Sequence, residues 1–191
     1  MKYRNITISG LPGAGSTTLA KNLALKLGWQ YVSLGEEMRE YAIKQGLMDK
    51  SKLIHHDATI YGEGFDRQVD RATREKLQSG EGQIVEGWLA GFMAQGMKGT
   101  LKVLVICGEA ERARRIAKRD KIDQVAAERL NLERKEKSLA KWQQMYEREW
   151  QEWVGEDGID FWREDLYDVV IDTHRWDQKQ ARDKVMKELN A

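Results

Sequence analysis

From Ile6 to Lys21 the chain reads Ile-Thr-Ile-Ser-Gly-Leu-Pro-Gly-Ala-Gly-Ser-Thr-Thr-Leu-Ala-Lys. A short apolar run enters a glycine-rich turn, and beyond Thr17 the residues Leu19, Ala20, Leu23, Ala24 and Leu27 recur at helical spacing. The glycines of the turn let successive backbone N–H groups point inward, making an anion nest at a helix N-terminus. The general pattern for such loops is Gly, four residues, Gly, Lys, then Ser or Thr. Gly10, Gly15 and Thr17 hold their expected places, and Ser16 stands where the lysine belongs. The nest of Gly13, Ala14, Gly15, Ser16, Thr17 and Thr18 is therefore expected to attract nucleotide phosphates through backbone. The Thr17 hydroxyl is the expected Mg²⁺ ligand. What is missing is a point charge reaching the β- and γ-phosphates.

Composition narrows the setting. The 191 residues suffice for one domain with a substantial core. Thirty-two Lys and Arg against 31 Asp and Glu leave the chain nearly neutral, so bulk charge argues for neither nucleic acid nor membrane. The one cysteine, Cys107, lies in the apolar run Val103-Leu-Val-Ile-Cys, which excludes an internal disulfide and fits a reducing cytoplasm. No 18-residue apolar span and no signal-peptide pattern is present, so the chain reads as soluble and intracellular.

Apolar strand candidates are Ile6 to Ser9, Gln30 to Ser33, Gln83 to Glu86, Val103 to Cys107 and Val169 to Asp172. Helical patterns fall between and after them at Thr17–Leu27, Gly35–Gln45, Ser51–Ile60, Phe65–Leu77, Ala110–Lys118, Asp123–Val154 and Asp177–Leu189. Strands separated by helices predict an α/β fold with a doubly wound, five-stranded parallel sheet. The economical parse is a single domain. Its core comprises residues 1–34, 81–120 and 166–191, with helices 35–80 and a helical excursion 121–165.

Three further features carry chemistry. Glu86 closes an apolar strand, where a carboxylate beside a phosphate loop commonly orients Mg²⁺ or its waters. Six cations between Arg112 and Lys121 open the excursion, where a lid supplies arginines to a transferring group; a solvated helix face is the plainer reading. Leu139, Trp142, Tyr146, Trp150 and Trp153 are spaced three, four, four and three apart, one stripe on one predicted helix. Core packing is the favoured reading of that stripe. A protein-interaction surface through Trp142, Trp150 and Trp153 is the alternative.

In order and spacing, these pieces resemble the nucleoside monophosphate kinases, and among them the compact, archaeal-type cytidylate kinases. The similarity covers nearly the whole length. It runs through the loop, Val32-Ser33-Leu-Gly35-Glu36 with Arg39, Asp66-Arg67 with Asp70-Arg71, and Val85-Glu86-Gly87. It continues through Arg112 with Arg115, and Ile171-Asp172-Thr173 followed by Trp176-Asp177. The resemblance implies a P-loop fold, ATP and Mg²⁺, and nucleotide partners. It implies that Arg39, Arg67, Asp70 and Arg71 surround the acceptor. It further implies that Arg112 stacks on adenine, that Arg115 and Arg119 approach the phosphates, and that Thr173 to Trp176 line the adenine pocket. Arginine suits such tasks because its planar fork binds phosphate in bidentate fashion.

The departures are specific. Ser16 replaces the loop lysine, and Trp88 stands where the family has an arginine just after Glu86-Gly87. Trp88 exchanges a phosphate grip for an aromatic face. The lid helix keeps Arg134 before Ser138 but has Trp142 where a second arginine is usual. Losing one such donor commonly costs on the order of a hundred- to a thousand-fold in rate. Two readings stay open at this level: a phosphotransferase acting on a nucleoside monophosphate, CMP or dCMP favoured, and a non-catalytic protein that reports ATP or ADP occupancy to a partner. A single-stranded RNA binder is a distant third, given the near-zero net charge.

Overall fold

The computed structural model describes residues 2–48 and 58–191. Its five strands are β1 (Asn5–Gly10), β2 (Gln30–Ser33), β3 (Gln83–Glu86), β4 (Thr100–Ile106) and β5 (Val169–Asp172). They pair in parallel in the order β2-β3-β1-β4-β5, the predicted sheet. Every residue of β1 is buried, as expected of a central parallel strand covered on both faces. Chain order reverses on either side of β1, and ligands of such sheets sit beyond the strand C-termini at that reversal. The glycine-rich loop follows β1 at this point.

The helices are α1 (Ser16–Leu27), α2 (Leu34–Lys44), α3 (Glu63–Ser79), α4 (Ala90–Met93), α5 (Glu109–Asp120), α6 (Gln124–Met145), α7 (Glu147–Trp153) and α8 (Gln178–Leu189). On one sheet face Leu19 and Leu23 of α1 join Val185 and Leu189 of α8 against Ile6, Ile8 and Val103. On the other, Phe92 and Met93 of α4 meet Leu104, Met145, Trp150 and Phe161. Three helix starts carry side-chain caps. Ser33 accepts from the Glu36 N–H, Asp123 from that of Ala126, and Asp177 forms a reciprocal box with Gln180.

Four details differ from the sequence reading. The helix expected over Asp123–Val154 is two helices, with a departure at Tyr146 (φ −111°, ψ 18°), whose hydroxyl donates to Asp70. The short α4 and a 3₁₀ turn at Glu164–Leu166 were not anticipated, being too brief to show periodicity. Strand β4 begins at Thr100, earlier than expected. Of the helix expected over Ser51–Ile60, residues 51–57 lie outside the described residues, and Ala58–Ile60 form a 3₁₀ turn.

The aromatic stripe packs on the core, with Tyr146 and Trp150 buried and Leu139, Trp142 and Trp153 half-buried against them. Trp150 is fully buried, stacked near Phe92 at a ring separation of 6.0 Å and edge-on to Phe161 at 5.7 Å. Its indole N–H donates to the Glu156 carbonyl. Trp153 packs on Phe92, and the Arg74 guanidinium lies 3.9 Å from the centre of its ring. The excursion thus has its own packing partners, and Trp150 has no face to offer another protein. Among the described residues no helix is long and apolar enough to cross a membrane.

Candidate active site

The loop takes the form its glycines permit. Gly13 (φ 81°) and Gly15 (φ 101°) are left-handed, a region that side chains disfavour. A Cβ at Gly13 would stand 2.7 Å from the Arg112 carbonyl oxygen, so helix α5 presses directly on the loop. Helix α1 starts at Ser16, and the first N–H groups of any helix lack intrahelical partners. The N–H groups of Ser16, Thr17 and Thr18 therefore form the positive end of the nest.

Ser16 faces inward. Its hydroxyl donates to Glu86 Oε1 at 2.8 Å, and the Thr17 hydroxyl reaches the same oxygen at 3.3 Å. On the other carboxylate oxygen, Ser33 donates at 3.2 Å and Tyr31 at 3.4 Å. Sheet register makes this cradle, because Glu86 lies level with Ile8 on β1 and Ser33 on β2. Burial pushes the Tyr31 hydroxyl up to about 12, so it stays a donor. Four hydroxyls thus satisfy a buried carboxylate beside the nest.

The nearest strong cation on the loop is Arg115. Its Nη1 donates to the carbonyls of Gly13 (3.3 Å) and Ala14 (3.4 Å) and to Thr173 Oγ1 (2.8 Å), and its Nη2 to the Thr173 carbonyl. Thr173 in turn donates to the Ala14 carbonyl at 2.6 Å. Glu111 steadies the Arg115 Nε at 2.9 Å, and with Arg114 and Arg115 beside it the Glu111 carboxyl is held down at about 2. Arg112 is buried, and its Nε donates to the Cys107 carbonyl at the end of β4. Arg119 is exposed at the rim and forks onto Asp120.

One cavity of about 540 Å³ joins the loop to residues from α2, α3, α5 and α6. Of the predicted acceptor residues, Arg39, Asp70, Glu86 and Trp88 line it, as do Arg115, Arg119 and Arg134. A second cavity, of about 440 Å³, lies behind the loop, between Thr18, Asn22, Arg114, Thr173 and Trp176. Gly15, Thr18 and Arg115 border both cavities.

Two residues expected around the acceptor lie outside this lining. Arg67 does not line the cleft. Its Nη1 pairs with Glu149 at 2.5 Å, its Nη2 donates to the Met145 carbonyl, and its guanidinium lies over Tyr146, which ties α3 to the α6–α7 junction. Arg71 is exposed and likewise outside the cleft lining, because it sits on the solvent side of α3. Sequence neighbours on a helix point 100° apart, so a run of charges cannot all face one ligand.

Sequence reasoning missed Lys141. Its Nζ donates to the carbonyls of Ala58 and Tyr61, both at 2.8 Å, and pairs with Asp66 at 2.5 Å. Burial raises the Asp66 carboxyl, and Lys141 opposes that rise. Asp70 receives the Tyr146 hydroxyl, and burial pushes its carboxyl up to about 7. The available signal was the spacing of Arg134, Ser138, Lys141 and Trp142, one face of α6. Ser138 fixes that face by accepting from the Ala58 N–H at 3.0 Å.

The model of the cytidylate kinase-like family matches residues 5–175. The chain belongs to that family. It is 36% identical to the cytidylate kinase of Methanopyrus kandleri over 186 residues, covering 92% of this chain and 88% of that one. It is 31% identical to the cytidylate kinase of Methanosarcina mazei over 189 residues, covering 97% and 96%. Solved structures agree at the level of fold. A gluconokinase from Sinorhizobium meliloti matches with a TM-score of 0.57 at 14% identity, covering 99% of this chain and 93% of that one. A shikimate kinase from Bacteroides thetaiotaomicron matches with a TM-score of 0.56 at 13% identity, covering 98% and 99%. Within this cytidylate kinase-like chain, Trp88 and Arg134 line the cavity together, the guanidinium 4.8 Å from the ring centre.

Proposed function

We propose that this chain is an ATP-dependent phosphotransferase that moves the γ-phosphoryl group to a nucleoside monophosphate, with CMP or dCMP the favoured acceptor. The observation that supports the reading is one cavity lined by Gly13, Ser16, Thr17, Arg39, Asp70 and Arg134, with room beside the phosphate nest for an acceptor. Family membership and relatives named cytidylate kinase support the same reaction class. A phosphate oxygen of the acceptor attacks the γ-phosphorus as the bond to ADP breaks. That oxygen is already ionised at neutral pH, so no general base is required and catalysis is positioning plus charge stabilisation.

The side chains present fit Mg²⁺–ATP. Thr17 and Glu86 offer hard oxygen donors 3.3 Å apart beside the nest. Among the described residues no group of three His, Cys, Asp or Glu forms a metal cage, which suits an ion held mostly by phosphates and water. Thr17 would hold the ion, and Glu86 would orient its waters. When bound, the ion neutralises charge on the phosphates. The backbone of residues 13–18 cradles the phosphates. Arg115 supplies loop-anchored positive charge, and Arg119 and Arg134 supply it from α5 and α6. Thr173 borders the nucleoside end, whereas Arg112, expected to stack on adenine, lines neither cavity. The low net charge and Cys107 agree with a cytoplasmic setting.

A second reading rests on Ser16. Its hydroxyl points at Glu86 and it carries no charge, which favours a protein that binds ATP or ADP and transfers slowly or not at all. Incubation with Mg²⁺–ATP and a panel of monophosphates, with ADP measured, separates the two. ADP formation that depends on CMP or dCMP supports the transferase. Tight nucleotide binding with no acceptor-dependent ADP supports the second reading.

A further inference from the structure

Trp88, just after Glu86-Gly87, brings no charge to the cleft, yet the wall there is not without charge. The Arg134 guanidinium lies 4.8 Å from the centre of the Trp88 ring. Trp88 is itself held. Trp142 meets it edge-on at 5.4 Å, Trp162 at 6.1 Å, and the Trp162 indole N–H donates to the Trp88 carbonyl at 2.9 Å. Two T-shaped contacts and a hydrogen bond to its carbonyl hold Trp88, and an aromatic face attracts a planar cation.

Helix α6 presents Arg134 from a fixed position. One turn on, Ser138 accepts from the Ala58 N–H, and Lys141 clamps Ala58, Tyr61 and Asp66. Arg134, Arg39 and Tyr61 line the same cavity. Arg67 and Arg71, the other arginines expected there, are directed elsewhere.

We propose that Trp88 is a positioning residue that holds Arg134 over the acceptor half of the cleft, so that the acceptor's phosphate is gripped by a cation from α6 rather than from the end of β3. The inference rests on the phosphotransferase reading and deepens it. Position 88 itself brings no charge, and its ring instead fixes where the charge of a neighbouring helix stands. A consequence is that the Trp88 face is taken by Arg134, and the acceptor base does not stack there. The acceptor class is a phosphomonoester whose phosphate meets Arg134 and Arg39, and a nucleoside without phosphate binds independently of Trp88.

The test is calorimetric titration of CMP and of cytidine into the native protein, Arg134→Gln, Trp88→Ala, Trp88→Phe and the swap Trp88→Arg with Arg134→Gln. Arg134→Gln is expected to weaken CMP by about tenfold or more and to leave cytidine unchanged, because the lost contact is a charge-assisted one to phosphate. Trp88→Ala weakens CMP selectively, whereas Trp88→Phe keeps affinity within about threefold because a ring face remains. The swap binds CMP more tightly than Arg134→Gln alone. Native CMP affinity in Arg134→Gln, or equal loss of CMP and cytidine in Trp88→Ala, overturns this assignment and leaves the transferase reading standing. A native protein that binds no monophosphate overturns both.

Discussion

Ser16 Oγ lies 2.8 Å from Glu86 Oε1, so the residue standing in for the loop lysine ties the start of α1 to the end of β3. A lysine there would bring positive charge beside a carboxylate. Serine brings one hydrogen bond. The anion nest survives because it is backbone, held open by Gly13 and Gly15 and braced by Arg115 and Thr173. Phosphate binding and phosphoryl transfer are thereby separable in this chain, and the predictions below address them apart.

Nucleotide binding depends on the shape of the turn. Mg²⁺–ADP at about one hundred times its dissociation constant should stabilise the native protein by about 2.7 kcal/mol, seen as a rise in melting temperature. Gly13→Ala should abolish that rise, since its Cβ would press within 2.7 Å of the Arg112 carbonyl at a left-handed φ. An undiminished shift in Gly13→Ala means that phosphates bind elsewhere.

Asp70 makes stability fall as pH rises. Its carboxyl is raised to about 7 by burial, with Asp66 adding to the rise and Tyr146, Arg67 and Lys141 opposing it. Because the folded pKa exceeds the unfolded value of about 3.9, the native state holds the extra proton, and the stability it brings is lost between about pH 4 and 7. Asp70→Asn should therefore gain melting temperature over the native protein at pH 8 relative to pH 5. Parallel curves for the two proteins across that range would contradict the assignment.

The buried stripe predicts a divided response along α6 and α7. Trp150→Ala should cost about 3–5 kcal/mol in chemical denaturation, the usual range for a deleted core aromatic. Trp142→Ala, at a half-buried position lining the cleft, should cost less and change ligand affinity more. Equal stability losses would mean that Trp142 is as much core as Trp150.

The sheet was legible because each strand is a short apolar run between helices, and parallel strands buried on both faces need little else. The loop was legible because left-handed turns demand glycine in a fixed pattern. The break at Tyr146 was not. It depends on Asp70 and Arg67, far away in sequence, and apolar spacing runs straight through it. The Glu86 cradle was half legible: a strand-end carboxylate can be read, but its four hydroxyl partners are assembled by sheet register. Arg67 was misplaced because a charge beside a phosphate site and a charge in a helix tie look alike in a string of letters. Lys141 was passed over for the same reason.

The separation of binding from transfer is tested most directly by the single-turnover rate of γ-phosphoryl transfer from Mg²⁺–ATP to CMP in the native protein and in Ser16→Lys. A lysine at position 16 supplies the missing charge at the β- and γ-phosphates, and the rate should rise by at least about tenfold. Arg115→Ala should slow the native protein more than it slows Ser16→Lys, since only the native protein depends on that cation alone at the loop. Equal rates in native and Ser16→Lys proteins, or no transfer in either, would contradict the account.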